Sequence, residues 1–324
     1  GSGPLQLVLA AELLRAGAEV VAVLEGARPL PGGLRQLHRM WGQWARLAEG
    51  LHSMLTLVRG RVDYRTGWGI VAASGTADRL QQVTIARLDA QWRVIPGSEQ
   101  VVACDTLCLG YGFVPFTTLA RLLGTQLEWR PELGGEVPVR DALMHTSVPG
   151  VYAVGDGAGI GGAELAMVEG EIAGIAAAAR LQQRMDIAEP HLRRLAARLG
   201  RARRFQRLMC ALFTPGPGLD ELSTEDTILC RCEDVTLAEV RRAIALGADS
   251  VNEVKSITRC GMGDCQGRVC AHLIVHAVAK ATGRPLPEVG LFRARPPVFP
   301  VPIGAIGQAA IGEPAGAAAG QLDV

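Results

Sequence analysis

Residues 150–181 read GVYAVGDGAGIGGAELAMVEGEIAGIAAAARL, and their order decides the fold class. The apolar run 151–154 has the length of a short buried strand. It ends on Gly155-Asp156-Gly157, and a helix is expected from about Gly162 to Leu181. An acid at the end of a strand is placed to accept hydrogen bonds from a ligand's hydroxyls. The helix that follows directs the positive end of its dipole at whatever lies in front of it. An acid that only caps the helix fits the same letters. Strand, glycine turn and helix in this order place the segment in the α/β class.

A second such unit opens the chain. Gly1-Ser2-Gly3-Pro4 is followed by Leu7, Ala10, Ala11 and Leu14 at helical spacing, a stop at Gly17, and the strand run EVVAVLE ending on Glu25. In a dinucleotide-binding fold the glycines let the backbone approach a pyrophosphate, and the acid ending the next strand takes the ribose hydroxyls. Glu25 stands 22 residues after Gly3, near the expected interval of about twenty. Two features depart from the pattern. Gln6 stands where a third glycine belongs, and no strand precedes Gly1, so the chain is expected to be a fragment of a longer one. A Gly-x-Gly turn is a weak signal, and an ordinary α/β unit without nucleotide is the competing reading.

Between these units, RQLHRMWGQWARLAEGLHSML reads as a helix with Leu37, Met40, Trp41, Trp44 and Leu47 on one face, expected as core packing. LTLVRG, GWGIVAASG, QVTIARLDA, WRVIPG and VVACDTLCLG read as strands, the last holding Cys104 and Cys108 as a pair of buried small hydrophobes. After Leu181 comes an Arg-rich helical connector whose spacing suits a solvated face, then the break TPGPG. Beyond residue 290, RARPPVFPVPIGAIGQ shows neither period and reads as an extended tail that becomes disordered toward its end. The expected organisation is residues 1–97 as an NAD(P)-binding-like domain lacking its first strand, 98–183 as part of a second such unit, which the family resemblance described below implies to be the C-terminal half of an FAD-binding domain, 184–222 as connector, 223–290 as a cysteine module and 291–324 as tail.

Composition excludes several classes. Lys+Arg 33 against Asp+Glu 32 gives no nucleic-acid surface, and 48% apolar residues exclude a disordered chain. The most apolar runs are interrupted by Glu12, Arg15, Glu19 and Gly174, so no membrane span is expected. Eight cysteines without a secretory leader argue against a disulfide scaffold, and a cytoplasmic protein is expected.

Five of those cysteines fall within 41 residues, in ILCRCED (228–234) and TRCGMGDCQGRVC (258–270). Capping boxes Thr236-x-x-Glu239 and Ser250-x-x-Glu253 start two helices, and QGRVCAHLIVHAVAKATG is read as a third. Cys230 and Cys232 then precede the first helix, Cys265 precedes the third, and Cys270 lies in its first turns. Thiolates at such junctions can converge on zinc or on an iron–sulfur cluster. Structural zinc sites use Cys-x2-4-Cys knuckles on both sides, whereas Cys-x-Cys and Cys-x4-Cys stand here. Gly261, Gly263 and Gly267 offer backbone N–H groups, and Arg231, Arg259 and Arg268 offer positive charge, both suited to an anionic cluster. Zinc and unligated thiols stay open on spacing alone, and Cys260, five residues before Cys265, is read as a buried neighbour in preference to an alternative ligand.

CRCEDVT followed by TRCGMGDCQGRVC resembles the bacterioferritin-associated-ferredoxin-like [2Fe–2S] domain. In particular it resembles the version at the C-terminus of the FAD/NAD(P)-binding alpha subunits of opine oxidases, D-hydroxyproline dehydrogenases, dye-linked proline dehydrogenases and hydrogen cyanide synthase. The segments GSGPLQLVLAAELLRAGAEVVAVLE, CDTLCLGYGFVPFTTLARLLG, TSVPGVYAVGDGAGIGGAELAMVEGEIAG and RARPPVFPVP fit the same group. The resemblance implies an α/β fold, a partial pair of dinucleotide-binding domains of flavoprotein type followed by a small all-helical [2Fe–2S] domain. It implies Cys230, Cys232, Cys265 and Cys270 as cluster ligands, and Gly155 with Asp156 at the ribityl chain of FAD. Gly1, Gly3 and Glu25 would form a second site for NAD(P) or another adenine nucleotide.

The group normally begins with a Gly-x-Gly-x-x-Gly FAD unit that is not in this sequence, so the FAD site of this chain is expected to be incomplete. The implied role is electron transfer in an amine or amino-acid dehydrogenase or oxidase. Its implied partners are an FAD-dependent, substrate-oxidising subunit, which would act on the C–N bond, together with an acceptor that the sequence does not identify. No residue here is assigned acid–base catalysis. The competing functions are a self-contained NAD(P)H-dependent reductase and a zinc-stabilised binding or assembly module.

Overall fold

A computed structural model of the chain describes residues 1–29, 40–183 and 185–310. It divides into two compact units, Gly1–Thr224 and Glu225–Val324.

The first unit is mixed α/β. Pro4–Arg15 forms α1, started by Pro4 at its first position, and Gly3 precedes it at φ 104°, a left-handed value that favours glycine. Ala22–Glu25 is β1 and pairs in parallel with β2, Asp63–Thr66, in the register Ala22↔Asp63 to Glu25↔Thr66. A parallel pair needs a crossover, and Trp44–Arg59, α2, supplies its helix. Ala10, Val23 and Leu57 make the core between α1, β1 and α2, with Leu7, Leu14, Val20, Val62 and Tyr64 packed against them.

The expected strand at LTLVRG is the last turns of α2. Leu57 points into the core while Leu55 and Val58 face out, a helical rather than an alternating burial pattern. Leu37 lies outside the described residues. Trp41 and Trp44 are not core residues, being 73% and 62% exposed.

Trp68–Gly75, Leu80–Arg87 and Gln100–Ala103 form an antiparallel meander, β3-β4-β5. WRVIPG contributes only the bridge Leu88↔Val94, because Asp89 Oδ1 takes the N–H groups of Gln91 and Arg93 and bends the chain into a turn. β5 ends at Ala103, before either cysteine of VVACDTLCLG, and Cys108 is exposed and Cys104 partly so. They are therefore not a buried pair.

The short helix α3, Thr118–Leu122, and the hairpin β6-β7, Leu127–Arg130 and Gly135–Pro138, lead to the glycine turn. Residues 151–154 make a single bridge, Tyr152↔His145, rather than a full strand. Ala163–Gln182, α4, packs against α5, Met185–Phe213, through Leu165, Val168, Ile172, Leu195, Leu199 and Ala202.

Among its described residues, the regular elements of the second unit are helices and one hairpin, β8 Ile228–Cys230 with β9 Val235–Thr236. Its helices are α6 Leu237–Ala245, α7 Val251–Thr258, α8 Ala271–Thr282 and the short α9 Leu286–Val289. Ile303–Ala310 forms α10 where no helical period was expected; two glycines in IGAIGQAA dilute the pattern, and Pro302 O accepts the Ala305 N–H to start the turn. EPAGAAAGQLDV lies outside the described residues. No helix among the described residues is long and apolar enough to cross a membrane.

Candidate functional site

The cysteine site is built from two loops. In the first, the hairpin closes through Asp234 at φ 49°, leaving Cys230 buried at the end of β8 and Cys232 exposed in the turn. The hairpin is fused to α6 by a reciprocal cap: Glu239 N–H donates to Thr236 Oγ1, and Thr236 N–H donates to Glu239 Oε2 at 2.8 Å.

The second loop starts at Arg259, which ends α7 at φ 66°. Gln266 at φ 51° and Gly267 at φ 82° are both left-handed, so α8 cannot begin at Gln266 as the sequence suggested. It begins at Ala271 with Cys270 at its cap, and Cys265 stands in the turn before it.

Three contacts lock the loops together. Arg259 Nε donates to Glu233 Oε2 at 2.9 Å, Gly261 N–H donates to Cys230 Sγ at 3.5 Å, and Gly263 lies against Cys232, where an added Cβ would come 2.3 Å from the Cys232 Cβ. Phe292 packs on the far side, over Gly261 and Gly267. Cys230, Cys232, Cys265 and Cys270, with Arg231 and Val269, line one cavity of about 390 Å³. Cys260 is fully buried and does not line it.

The thiols differ electrostatically. Partial burial pushes Cys265 up, but the Val269 N–H, the Cys232 thiol and the N–H groups of Gly267 and Arg268 outweigh it and hold Cys265 below the usual thiol range. For Cys232 the Cys265 backbone N–H pulls downward, yet the neighbouring Cys265 thiol, desolvation and Cys230 leave it raised. Burial, then the charges and thiols of Cys230, Cys260 and Cys265, drives Cys270 far up. Of the expected arginines, Arg231 lines the cavity, Arg259 is paired with Glu233, and Arg268 donates to Cys265 O at 3.1 Å and lies over the Phe299 ring.

In the first unit, Gly1, Gly3 and Glu25 come together at the start of α1. The buried Glu25 accepts the Gly3 N–H on Oε2 at 2.9 Å and the Ala27 N–H on Oε1 at 2.8 Å. Gly26 N–H donates to Gly1 O, and Ser2 N–H to Gly110 O, both at 2.8 Å. The Gln6 amide donates to Gly110 O and fills the space where side chains at Gly1 or Gly110 would stand. Its Oε1 is buried without a partner.

Asp156 lies in a 3-10 turn, Gly155–Ala158, and is exposed. Its Oδ1 accepts the N–H groups of Gly161 and Gly162 at 3.0 and 3.1 Å, so it does cap the approach to α4. That contact occupies one of the two carboxylate oxygens. Beneath the turn sits a pair that the sequence reading missed, Arg140 and Glu169, the latter accepting the Gly155 N–H at 3.0 Å. Glu169 falls on the buried stripe Leu165, Val168, Ile172 of α4, and an acid on such a stripe was the available signal.

Residues 1–182 match the family model described as pyridine nucleotide-disulphide oxidoreductase, and residues 224–310 match the sarcosine oxidase A3 domain. The hydrogen cyanide synthase subunit HcnB of Pseudomonas aeruginosa is 36% identical over 315 residues, which cover 94% of this chain and 65% of that protein. An opine oxidase subunit from Agrobacterium tumefaciens is 33% identical over 306 residues, covering 93% and 58%. A crystal structure of L-proline dehydrogenase from P. horikoshii aligns with a TM-score of 0.55 at 24% identity, over 78% of this chain and 46% of that one, a likeness of fold. The chain thus spans less than two thirds of the length of these curated relatives.

Proposed function

The chain belongs to the pyridine nucleotide-disulphide oxidoreductase family, and on that premise we propose that it is an electron-transfer subunit of an amine or amino-acid dehydrogenase or oxidase, of opine, hydroxyproline, proline or glycine type. The observation that carries this reading is the gathering of Cys230, Cys232, Cys265 and Cys270 around one cavity. Four thiols with backbone N–H groups aimed at Cys230 and Cys265 fit the donor set of a [2Fe–2S] cluster. Among the described residues no three Cys, His, Asp or Glu side chains are close enough to grip one ion. The spacing Cys-x-Cys with Cys-x4-Cys, in place of Cys-x2-4-Cys knuckles on both sides, is what favours a cluster over tetrahedral zinc in this reading.

Cys230, Cys232, Cys265 and Cys270 would hold the cluster, and Gly155 with Asp156 would hold the ribityl part of FAD. When bound, the two groups supply electron transfer from the substrate-oxidising subunit to an acceptor. Cys230 and Cys270 form the buried side of the cavity and Cys232 its exposed side, and the Arg259–Glu233 clamp holds the two loops that carry them in place. No side chain of this chain is given a proton to move. A separate FAD-dependent subunit oxidises the C–N bond in this proposal, and the complex works in the cytoplasm.

The test is an anaerobic visible and EPR spectrum of the purified protein with iron, sulfide and zinc counts. A two-iron signal that vanishes in Cys232→Ser and Cys265→Ser is expected. Zinc without iron would overturn the reading in favour of an assembly module.

A second reading of the same chain has Gly1, Gly3 and Glu25 bind NAD(P) and the protein reduce its own cluster; it has less support, because Glu25 is buried with both oxygens taken by the Gly3 and Ala27 N–H groups. Bleaching of the cluster by NADH or NADPH without any partner separates the two.

A further inference from the structure

Arg231 stands between two of the four thiols, in the order Cys230-Arg231-Cys232, and lines the cavity that they share with Cys265, Val269 and Cys270. Among the described residues it is the one basic or acidic side chain in that lining. It is exposed, and no described residue forms an ion pair or side-chain hydrogen bond with it.

The other charges of the two loops are committed or lie elsewhere. Arg259 and Glu233 pair at 2.9 Å, so their fields largely cancel. Arg268 gives its Nε to Cys265 O and stacks 4.6 Å from the centre of the Phe299 ring. Asp234 and Asp264 are exposed and are not part of the cavity wall. The wall therefore carries a formal positive charge at Arg231 that no acid neutralises.

We infer that Arg231 sets the reduction potential of the cluster proposed for this cavity, its charge favouring the reduced form; the inference rests on that proposed function. A [2Fe–2S] cluster on four thiolates carries a charge of about −2 when oxidised and about −3 after accepting one electron. A fixed positive charge beside it attracts the reduced form more strongly, which raises the potential and makes the cluster the better electron acceptor. A guanidinium suits the task because it stays protonated at any working pH.

Backbone N–H groups at Cys230 and Cys265 act in the same direction, but they belong to the fold of the loops. The Arg231 contribution belongs to a side chain that holds no other part of the protein in place. Its charge can thus be changed while the thiols keep their positions.

An anaerobic redox titration of the purified 324-residue chain, followed by EPR and with iron counted per chain, tests this. Arg231→Gln is expected to keep the iron count and to lower the equilibrium constant for one-electron reduction on the order of tenfold, which is about 59 mV. Arg231→Glu should lower the potential by about twice as much, and Arg231→Lys should keep it near the wild-type value. The gap between wild type and Arg231→Gln should narrow as salt rises from about 0.01 M to about 1 M, because the Debye length contracts from about 30 Å to about 3 Å. Full iron with an unmoved potential in the Gln and Glu variants overturns the inference and leaves the cluster itself standing. A fall in Arg231→Lys as large as in Arg231→Gln overturns it as well, since shape and not charge would then be responsible. So does loss of iron in Arg231→Gln, which would make the side chain a support of the loop. A wild type without iron overturns the proposed function, and this inference with it.

Discussion

Arg140 grips Glu169 with both terminal guanidinium nitrogens, Nη1 to Oε2 at 2.8 Å and Nη2 to Oε1 at 2.7 Å, and the carboxylate is fully buried. The same Oε2 takes the Gly155 N–H, so the ion pair anchors the turn that carries Asp156. A buried charge left without its partner is expensive, about 3–5 kcal/mol. Arg140→Leu is therefore expected to lower unfolding free energy by about that amount in urea titrations, less whatever Arg203, 3.5 Å from Glu169, recovers.

Gly155 itself admits little else. Its φ is 63°, and a Cβ there would lie 3.1 Å from the Ala166 Cβ. Gly155→Ala is expected to cost about 1–3 kcal/mol in left-handed strain and crowding, measured by the same titration. By the functional proposal it also weakens flavin retention in the assembled enzyme, read from flavin absorption per chain.

What the sequence discloses here is what short-range chemistry decides. The caps at Thr236 and Ser250 are legible because a hydroxyl and an acid three residues apart need nothing from the rest of the chain. The reach of two cysteine loops to one cavity follows from their places at helix junctions. Three kinds of feature are not legible. The late start of α8 depends on Gln266 adopting a left-handed backbone, which its side chain does not announce. The Arg140–Glu169 pair joins positions 29 apart. Trp41 and Trp44 read as core because periodicity shows which residues share a face, not whether that face points inward.

Two caps in the cysteine unit give it a defined acid response. The Thr236 backbone N–H, then its hydroxyl, holds Glu239 below the usual carboxylate range, and the Asp249 N–H, then Ser250, does the same for Glu253. Acids with depressed values stabilise the folded state fully above their unfolded pKa, and that contribution disappears as pH falls through the folded value. Melting curves of the wild type and of Glu239→Gln with Glu253→Gln are expected to differ most above about pH 5. The gap should close progressively toward lower pH.

Cys260 lies in the interior beside the other thiols but off the cavity wall, and burial raises its pKa. It is a packing residue by this geometry. Cys260→Ala is expected to keep the iron count and visible spectrum of the wild type while costing about 1 kcal/mol, whereas Cys265→Ser should lose both. Loss of iron in Cys260→Ala would make it a ligand.

Gly263 gives the sharpest test of how the loops meet. A methyl group there would come 2.3 Å from the Cys232 Cβ and 3.3 Å from Glu233 Oε1, so Gly263→Ala must push the first loop away from the second. The expected cost is about 1–3 kcal/mol, with a marked fall in iron per chain because Cys232 moves relative to Cys265. Gly247→Ala is the matched control. Gly247 sits at φ 106° with nothing within 4 Å of an added Cβ, so its substitution brings backbone strain without a collision. It should lower the melting temperature and leave the iron count unchanged. Equal iron in both variants would mean that the Gly263–Cys232 contact does not position the thiols.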